Sequence, residues 1–523
     1  MAASHTDSHP ARTELASISL DDLIVAIRAG GVDARLAASG TAEQATVRGM
    51  TVDSREVQPG NLFVCKGAAF RPAFLASAIE RGAYAYLCPN DAAILEQLEL
   101  VAPGAPHIVA SDVRRAMALV APVVYQHPEQ ALDIVGITGT KGKSTVAYML
   151  RSILLAAGET PSVLGSIETD DGIEHYESHN TTPEAPELWR HLWNSVKSGR
   201  RHMVMEVSSQ GLKYDRVLGV PLSLGVFLNI GRDHISGVEH PTFEDYFASK
   251  LRIFDQCETA VVNIDAEHAP RVLSAAEKAR RLVTTSARGA SDATFAALNA
   301  RSTGLELTFE VVDRLDPAHP QTHAIALGMA GLFNVDNALA AIACARLLGV
   351  GYDAISRGLA HVRVPGRMEI VATPDQHVIA IVDYAHTPDA LENVIQTIEE
   401  IRTPGQQLIV VCGCGGDRDR TKRPEMAAIA VKYATTAVFT SDNPRHESPE
   451  AILDDMVAGL EPGARYLRIA DRAEAIRTAV MLSRPGDIIL VAGKGHETYQ
   501  IVGDVKHPFD DREEIKKRFA LLN

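Results

Sequence analysis

Asp133-Ile-Val-Gly-Ile-Thr-Gly-Thr-Lys-Gly-Lys-Ser-Thr145 is the stretch from which the fold can be read. The apolar run Asp133–Thr138 predicts a buried strand, and Val146–Ala157 behind the glycines predicts a helix. A glycine-rich turn between a strand and a helix N-terminus aims backbone N–H groups at an anion, so it is suited to cradle phosphate. Gly139, Thr140, Lys141, Gly142, Lys143, Ser144 and Thr145 are therefore the expected nucleotide-binding residues. Lys143 is expected at the β/γ-phosphates of ATP, and the Ser144 hydroxyl at Mg²⁺. The spacing departs from the common pattern: five residues separate Gly136 from Gly142 instead of four.

Working outward, apolar runs at His202–Val207, Leu224–Ile230 and Ala260–Ile264 alternate with helical stretches. That alternation implies a mainly parallel sheet covered on both faces. Upstream, Asn61–Cys65 and Ala83–Leu87 read as strands of a smaller α/β unit, preceded by a helix that starts at Ser19 with Asp21 and Asp22 in its first turn. Downstream, Val378–Val382, Leu408–Cys412, Ala437–Thr440 and Ile488–Val491 read as a further parallel sheet. The expected architecture is α/β in three domains, at 1–130, 131–363 and 364–523. The central one is a P-loop unit and the last is Rossmann-like.

Composition narrows the function classes. The 523 residues carry 51 Lys plus Arg against 66 Asp plus Glu, a formal net charge of −15. Such a chain is a poor nonspecific partner for nucleic acid or membrane surfaces. No uncharged apolar run reaches the roughly 18 residues of a spanning helix, and the first residues lack a signal-peptide pattern. The 6 cysteines are too sparse for a disulfide framework and suit a cytoplasmic protein. Cys412 and Cys414 form a C-x-C without a second ligand pair and read as strand and turn residues.

Several polar residues fall where a parallel sheet presents its ligand crevice. Glu206 ends one strand run, and Asp233-His234 follow another, so both are expected on the phosphate-loop side, where a Glu and a His could hold Mg²⁺. In Thr242–Phe254 the helical face carries Phe243, Phe247, Phe254 and Lys250. A lysine on such a stripe either snorkels or is partly buried; periodicity by itself favours snorkelling.

In these residues and their order the chain resembles the Mur ligases, ATP-dependent amide ligases of peptidoglycan precursor synthesis, over about residues 45 to 523. The motifs that carry it are the loop Thr138–Thr145, Asn180-Thr-Thr182, Glu206-Val-Ser-Ser209, Asp233-His234, Lys250, Asn334-x-x-Asn337, Pro365-Gly-Arg367, Asp383-Tyr-Ala-His386 and Gly415-Gly-Asp-Arg418. Asp53-Ser-Arg55, Gln58-Pro-Gly60, Ser441-Asp-Asn-Pro-Arg-His-Glu447 and Ala492-Gly-Lys-Gly-His-Glu497 point to the family step that adds a diamino acid to UDP-N-acetylmuramoyl-L-Ala-D-Glu. Three positions depart from the commoner residues: Lys141 for Asn, Gln210 for His and Tyr214 for Gln.

The resemblance implies roles. Residues 1–130 would bind the UDP-muramoyl substrate, the central domain ATP, and the C-terminal domain the amino acid. The D-Glu carboxylate would take the ATP γ-phosphoryl group to give an acyl phosphate, which the amine then attacks. Lys143, Lys250, His234 and Glu206 are the implied catalytic residues; Lys250 would be carbamylated and would hold Mg²⁺ with Glu206, His234 and Ser144. Ser54, Thr181, Thr182, Ser208 and Arg216 would bind the UDP-muramoyl dipeptide. Asn334, Arg367, Asp383 and His386 would lie on the nucleotide side. Arg418, Asp442, Asn443, Pro444, Arg445, Gly493 and Glu497 would form the amino-acid site. Arg445 supplies a cation for the distal carboxylate of meso-diaminopimelate; L-lysine and ornithine, which lack that carboxylate, are the alternatives. The expected partners are these small molecules, with no nucleic acid, no membrane insertion, and a monomeric chain. The rivals are a folylpolyglutamate-synthase-like ligase and a P-loop ATPase without ligase activity.

Overall fold

The computed structural model describes residues 14–37, 46–67, 69–231, 235, 239–373 and 378–521. They fall into two compact units. Unit 1 comprises Met1–Ala296, Val312–Gln321 and Leu339–Gly358; unit 2 comprises Ala297–Val311, Thr322–Ala338 and Leu359–Asn523. No helix among the described residues is long and apolar enough to cross a membrane.

Besides the short antiparallel pair Ile18–Ser19/Thr46–Val47, two larger sheets build unit 1. The smaller has the order Ala34–Ala37, His107–Ala110, Ala85–Pro89, Leu62–Val64, Met50–Thr51. Only the edge strand Ala34–Ala37 is antiparallel to its neighbour. Three of its helices start where a short oxygen-bearing side chain takes an orphan N–H: Ser19 accepts from Asp22, Asp91 from Ile94, and Asp112 from Arg115. The first of these is the helix that the acids after Ser19 predict.

The larger sheet places Asp133–Thr138 between His202–Glu206 and Leu222–Phe227, with Ser162–Leu164 beyond the former and Cys257–Asn263 and Arg281–Ser286 beyond the latter. All these pairs are parallel. Ile134, Val135 and Ile137 are fully buried, as expected of a strand covered on both faces. Since the strands run the same way, residues that follow Thr138, Glu206 and Phe227 emerge on one edge.

Two boundaries differ from the sequence expectation. The helix behind the glycines begins at Lys143 and ends at Ala156. Gly142, at φ 87°, completes the turn in the left-handed region, so the residues after it are already helical. The Thr242-capped helix runs Phe243–Leu251, then tightens into a 3₁₀ turn at Arg252–Asp255 that still buries Phe254.

Unit 2 is built on a sheet of order Glu369–Val371, Ile379–Asp383, Ile488–Ala492, Leu408–Cys412, Thr436–Phe439, Tyr466–Arg468, parallel except at the first edge. Alternate residues feed two cores: Val410, Phe439 and Leu490 pack on one face, Val411, Val438 and Val491 on the other.

A buried ion pair braces this sheet. Arg472 and Asp511 are both fully buried, and the guanidinium Nε and Nη2 each donate to an Asp511 oxygen at 2.7 Å. Arg472 also donates to the carbonyls of Ala492, at 3.1 Å, and Ser441, at 3.4 Å, which begin the two loops described below. Asp511→Ala leaves that charge unpaired in the interior, and is expected to destabilise the fold by about 3–5 kcal/mol. A denaturant-midpoint shift that, multiplied by an unchanged m-value, gives less than about 1 kcal/mol would contradict the expectation.

Candidate active site

The phosphate loop of unit 1 is tied from three directions. Asn229, just past the strand Leu222–Phe227, accepts the Thr140 N–H at its carbonyl (3.1 Å) and the Lys141 N–H at Oδ1 (2.9 Å), and its Nδ2 donates to Lys141 O at 3.1 Å. The Tyr246 hydroxyl lies 3.0 Å from Thr140 Oγ1. Lys143 Nζ donates to the carbonyls of Gly139 and Thr140 at 3.0 and 3.3 Å. Ser144 and Thr145 are buried under the helix start.

Lys250 does not snorkel. It is 2% exposed, and its Nζ donates to Gly139 O at 2.8 Å while lying 4.9 Å from the Tyr246 ring centroid. Phe247 and Phe254 are buried in the same face, so the apolar stripe carries the lysine inward to the phosphate loop. The periodic pattern gave the face correctly, but could not say what the amine would reach.

Glu206 is 2% exposed and sits on the same sheet edge. Its Oε1 accepts the Ser166 N–H at 2.9 Å, and its Oε2 accepts the Ser166 hydroxyl at 3.1 Å. A Cβ on Gly165 would come within 2.4 Å of Oε1, so the carboxylate is packed directly against glycine backbone. Ser166 Oγ lies 2.9 Å from Thr181 Oγ1, and Thr182 Oγ1 donates to Glu206 O at 3.0 Å. Arg216 Nη1 reaches Thr182 O at 3.0 Å. Glu206, Thr181, Thr182 and Arg216 thus form one network. Ser208 joins it by its N–H, which donates to Thr182 Oγ1 at 2.9 Å, while its hydroxyl caps the short helix Ser209–Lys213. Asp233 and His234 lie outside the described residues.

The donor set suits magnesium. Ser144 offers a hydroxyl and Glu206 a carboxylate, the hard oxygen ligands that Mg²⁺ prefers.

An ion pair joins the smaller sheet of unit 1 to this network. Lys66, two residues past the strand Leu62–Val64, pairs with Glu184, and Arg216 Nε lies 3.0 Å from the other Glu184 oxygen, although its N–H is not aimed there. Burial lowers the pKa of Lys66, and Glu184 opposes that shift. Ser54 stands in the turn after Met50–Thr51, half-buried, beside an Asp53–Arg55 pair. Tyr214 stacks under the Arg114 guanidinium at 4.6 Å.

Unit 2 gathers the remaining motifs. Asn334 is buried, and its amide is committed to Ala330 O (2.7 Å) and to Asn337 (2.9 Å). Asp383 accepts the Met368 and Ala385 N–H groups, each at 2.7 Å; burial raises its pKa, and Arg367 pulls the other way. The Arg367 guanidinium lies 4.4 Å from the Tyr384 ring centroid, and burial pushes that phenol up to about 12. His386 Nδ1 is 2.8 Å from Tyr384 O.

Loops from three adjacent parallel strands meet at the far edge of this sheet: residues 413–418, 441–447 and 493–497. A Cβ on Gly416 would lie 1.8 Å from Pro444 O, so only glycine permits that approach. Arg445, at φ 51°, donates from Nη1 to Gly416 O at 2.9 Å. The same Nη1 would lie 3.1 Å, and Arg418 Cγ 3.7 Å, from a Cβ on Gly415, which places both arginine side chains beside one glycine. The hairpin Tyr499–Val502/Val505–Pro508 fixes the Arg445 backbone: its N–H donates to Ile501 O at 3.0 Å, and its carbonyl accepts from Gly503 at 2.8 Å. Asp442 Oδ2 is buried against Gly493 and, among the described residues, has no hydrogen-bond partner. Asn443 Nδ2 donates to Glu497 Oε2 at 2.9 Å. Glu447, held near 2 by the Arg423 guanidinium, anchors the loop through Asp417 N.

Sequence reasoning did not single out Asn229, Tyr246, Ser166, Lys66, Glu184 or Lys494. Lys494 lies inside the motif Ala492-Gly-Lys-Gly-His-Glu497, and its place between two glycines is a usable signal. Ser166 and Asn229 act through backbone proximity that no spacing reveals.

A phosphate loop with a buried lysine and carboxylate on one sheet edge, and a separate sheet that presents arginines beside carboxylates, suits carboxylate activation followed by amine capture. Residues 137–345 match the Mur ligase middle domain, and residues 366–495 the Mur ligase glutamate ligase domain. The chain belongs to the Mur ligase family. Similar curated proteins from Clostridium perfringens (35% identity over 479 residues; 90% of this chain, 95% of that one) and Listeria innocua (39% over 485; 90% and 94%) are both named UDP-N-acetylmuramoyl-L-alanyl-D-glutamate–2,6-diaminopimelate ligase. A solved structure of a ligase with that name superposes with a TM-score of 0.65 at 29% identity, covering 97% of this chain and 99% of its own.

Proposed function

We propose that this chain adds meso-diaminopimelate to the D-Glu carboxylate of UDP-N-acetylmuramoyl-L-Ala-D-Glu, with ATP and Mg²⁺, in peptidoglycan precursor synthesis. The relatives' names support the step, and the support for the amino acid within this chain is Arg445. Diaminopimelate ends in a second carboxylate, whereas lysine and ornithine end in a bare ammonium. A guanidinium fork held beside Gly416, with Arg418 near it, suits a carboxylate bidentately.

In this reading residues 1–130 bind the uridine nucleotide substrate, 131–363 bind ATP, and 364–523 bind the amino acid. Ser54, Thr181, Thr182, Ser208 and Arg216 hold the dipeptide substrate. Backbone N–H groups of residues 139–145 and the Lys143 ammonium bind the phosphates. Ser144, Glu206, His234 and carbamylated Lys250 would hold magnesium, which neutralises phosphoryl charge when bound. Asn334, Arg367, Asp383 and His386 serve the nucleotide. The D-Glu carboxylate takes the γ-phosphoryl group and becomes an acyl phosphate; the amine then forms the amide bond and phosphate leaves. Asp442 and Glu497 present carboxylates to the ammonium groups of the amino acid, which gives the unpartnered Asp442 oxygen a role.

The test is phosphate release with the UDP-muramoyl dipeptide against a panel of diamino acids. A site that pairs a charge discriminates by about 10⁴-fold against an analogue lacking it. A preference of that order for meso-diaminopimelate over L-lysine in kcat/KM is expected, with its collapse in Arg445→Ala. Equal or better use of L-lysine by the unmutated chain would refute the assignment.

A further inference from the structure

Lys494 stands on one of the loops that carry the proposed amino-acid site, residues 493–497, and its ammonium reaches a second, residues 441–447. It is 0% exposed. Its Nζ donates to Asn443 Oδ1 at 3.1 Å and to Glu497 Oε2 at 2.9 Å. Asn443 Nδ2 donates to that same Glu497 oxygen at 2.9 Å, which closes a triangle. Asn443 Oδ1 also accepts the Ile501 N–H at 2.9 Å. Two donors at Oδ1 and a carboxylate at Nδ2 leave the amide a single satisfied orientation.

The charge of Lys494 has no evident use in the core. Desolvating an ammonium is costly, and apolar side chains of similar volume commonly replace buried ion pairs without loss of stability. Yet both partners of Lys494 stand on loops at the carboxyl ends of parallel strands: residues 441–447 follow Thr436–Phe439, and residues 493–497 follow Ile488–Ala492. Leu408–Cys412 runs between these strands, so the ammonium spans the end of a third strand. Its bonds occupy Glu497 Oε2 and leave Oε1 outside the triangle.

We propose that Lys494 is a positioning residue for the diamino acid: it locks Glu497 Oε2 and the Asn443 amide so that Glu497 Oε1 faces a substrate ammonium. The proposal rests on the assignment of Asn443 and Glu497 to the amino-acid site. Without Lys494 the carboxylate gains rotamers, and the amino acid must order it on binding, so the loss falls on the amino acid alone.

The experiment measures KM for ATP, UDP-muramoyl dipeptide and diaminopimelate, with kcat, in Lys494→Met and Glu497→Gln. Lys494→Met is expected to raise KM for diaminopimelate on the order of tenfold or more, with the other two KM values within about twofold, as expected when a charged hydrogen bond is lost at one subsite. A parallel rise in all three, or no rise in any, overturns the proposal. Glu497→Gln separates the two ideas. If it leaves the diaminopimelate KM unchanged, the site assignment itself fails. If it raises that KM while Lys494→Met does not, only the positioning role fails. Should Lys494→Met not fold, the Lys494→Met/Glu497→Gln double variant removes both charges together. A diaminopimelate KM equal to that of Glu497→Gln supports the coupling, and a further multiplicative loss overturns it.

Discussion

Lys143→Ala is expected to lower kcat by about a hundredfold or more while the fold survives. Lys143 is the first residue of the helix Lys143–Ala156, where alanine is a good helix former. The substitution removes, among other contacts, the Nζ bonds to the carbonyls of Gly139 and Thr140. Gly139 O keeps its bond from Lys250, and the loop stays tied through Asn229 and the Tyr246 hydroxyl. The cradle should therefore persist without the Lys143 ammonium, the group proposed to meet γ-phosphoryl charge. Circular dichroism and thermal unfolding would report the fold, and single-turnover phosphate release the chemistry. Near-normal turnover in this variant would show that the loop does not handle phosphate as proposed.

A second large loss is expected at Lys250. The side chain is buried with its Nζ at Gly139 O, where taking an ammonium out of water is costly. Carbamylation changes that chemistry: the neutral amine adds to CO₂, an N–C bond forms, a proton leaves, and the side chain becomes an anionic oxygen donor. Lys250→Ala should be nearly inactive, and a short carboxylate such as acetate or propionate should restore part of the rate by entering the vacated space. Labelled bicarbonate should give a carbamate carbon signal in the unmutated protein and none in the variant. That signal is independent of turnover. Its absence, together with failure of rescue, would rule out the modified lysine.

The phosphate loop and the parallel arrangement around it were legible because both are local. A strand, a glycine turn and a helix start occupy consecutive residues, and buried parallel strands announce themselves as apolar runs such as Leu408–Cys412. The ends of elements were less legible. The helix opens at Lys143 because Gly142 adopts a left-handed φ, a backbone property that side-chain periodicity does not record.

The candidate site divides along the same line. Motif order supplied Glu206, Thr181, Thr182, Arg445 and Glu497 as candidates, and the stripe Phe247–Lys250–Phe254 supplied a face. Tertiary structure decided what those groups touch. Lys250 reaches Gly139, 111 residues away in sequence, because the helix that carries it packs against the phosphate-loop side of the sheet. Glu206 is gripped by Ser166 across 40 residues. Lys494 meets Asn443 across 51, since their loops leave strands that flank a common neighbour. The sequence by itself determined which residues can form strands, turns and helices, and which chemical groups are present, because these depend on neighbours along the chain. Which lysine is buried, which carboxylate is shared and which oxygen is left free were decided by strand order, since burial and hydrogen bonding depend on neighbours in space.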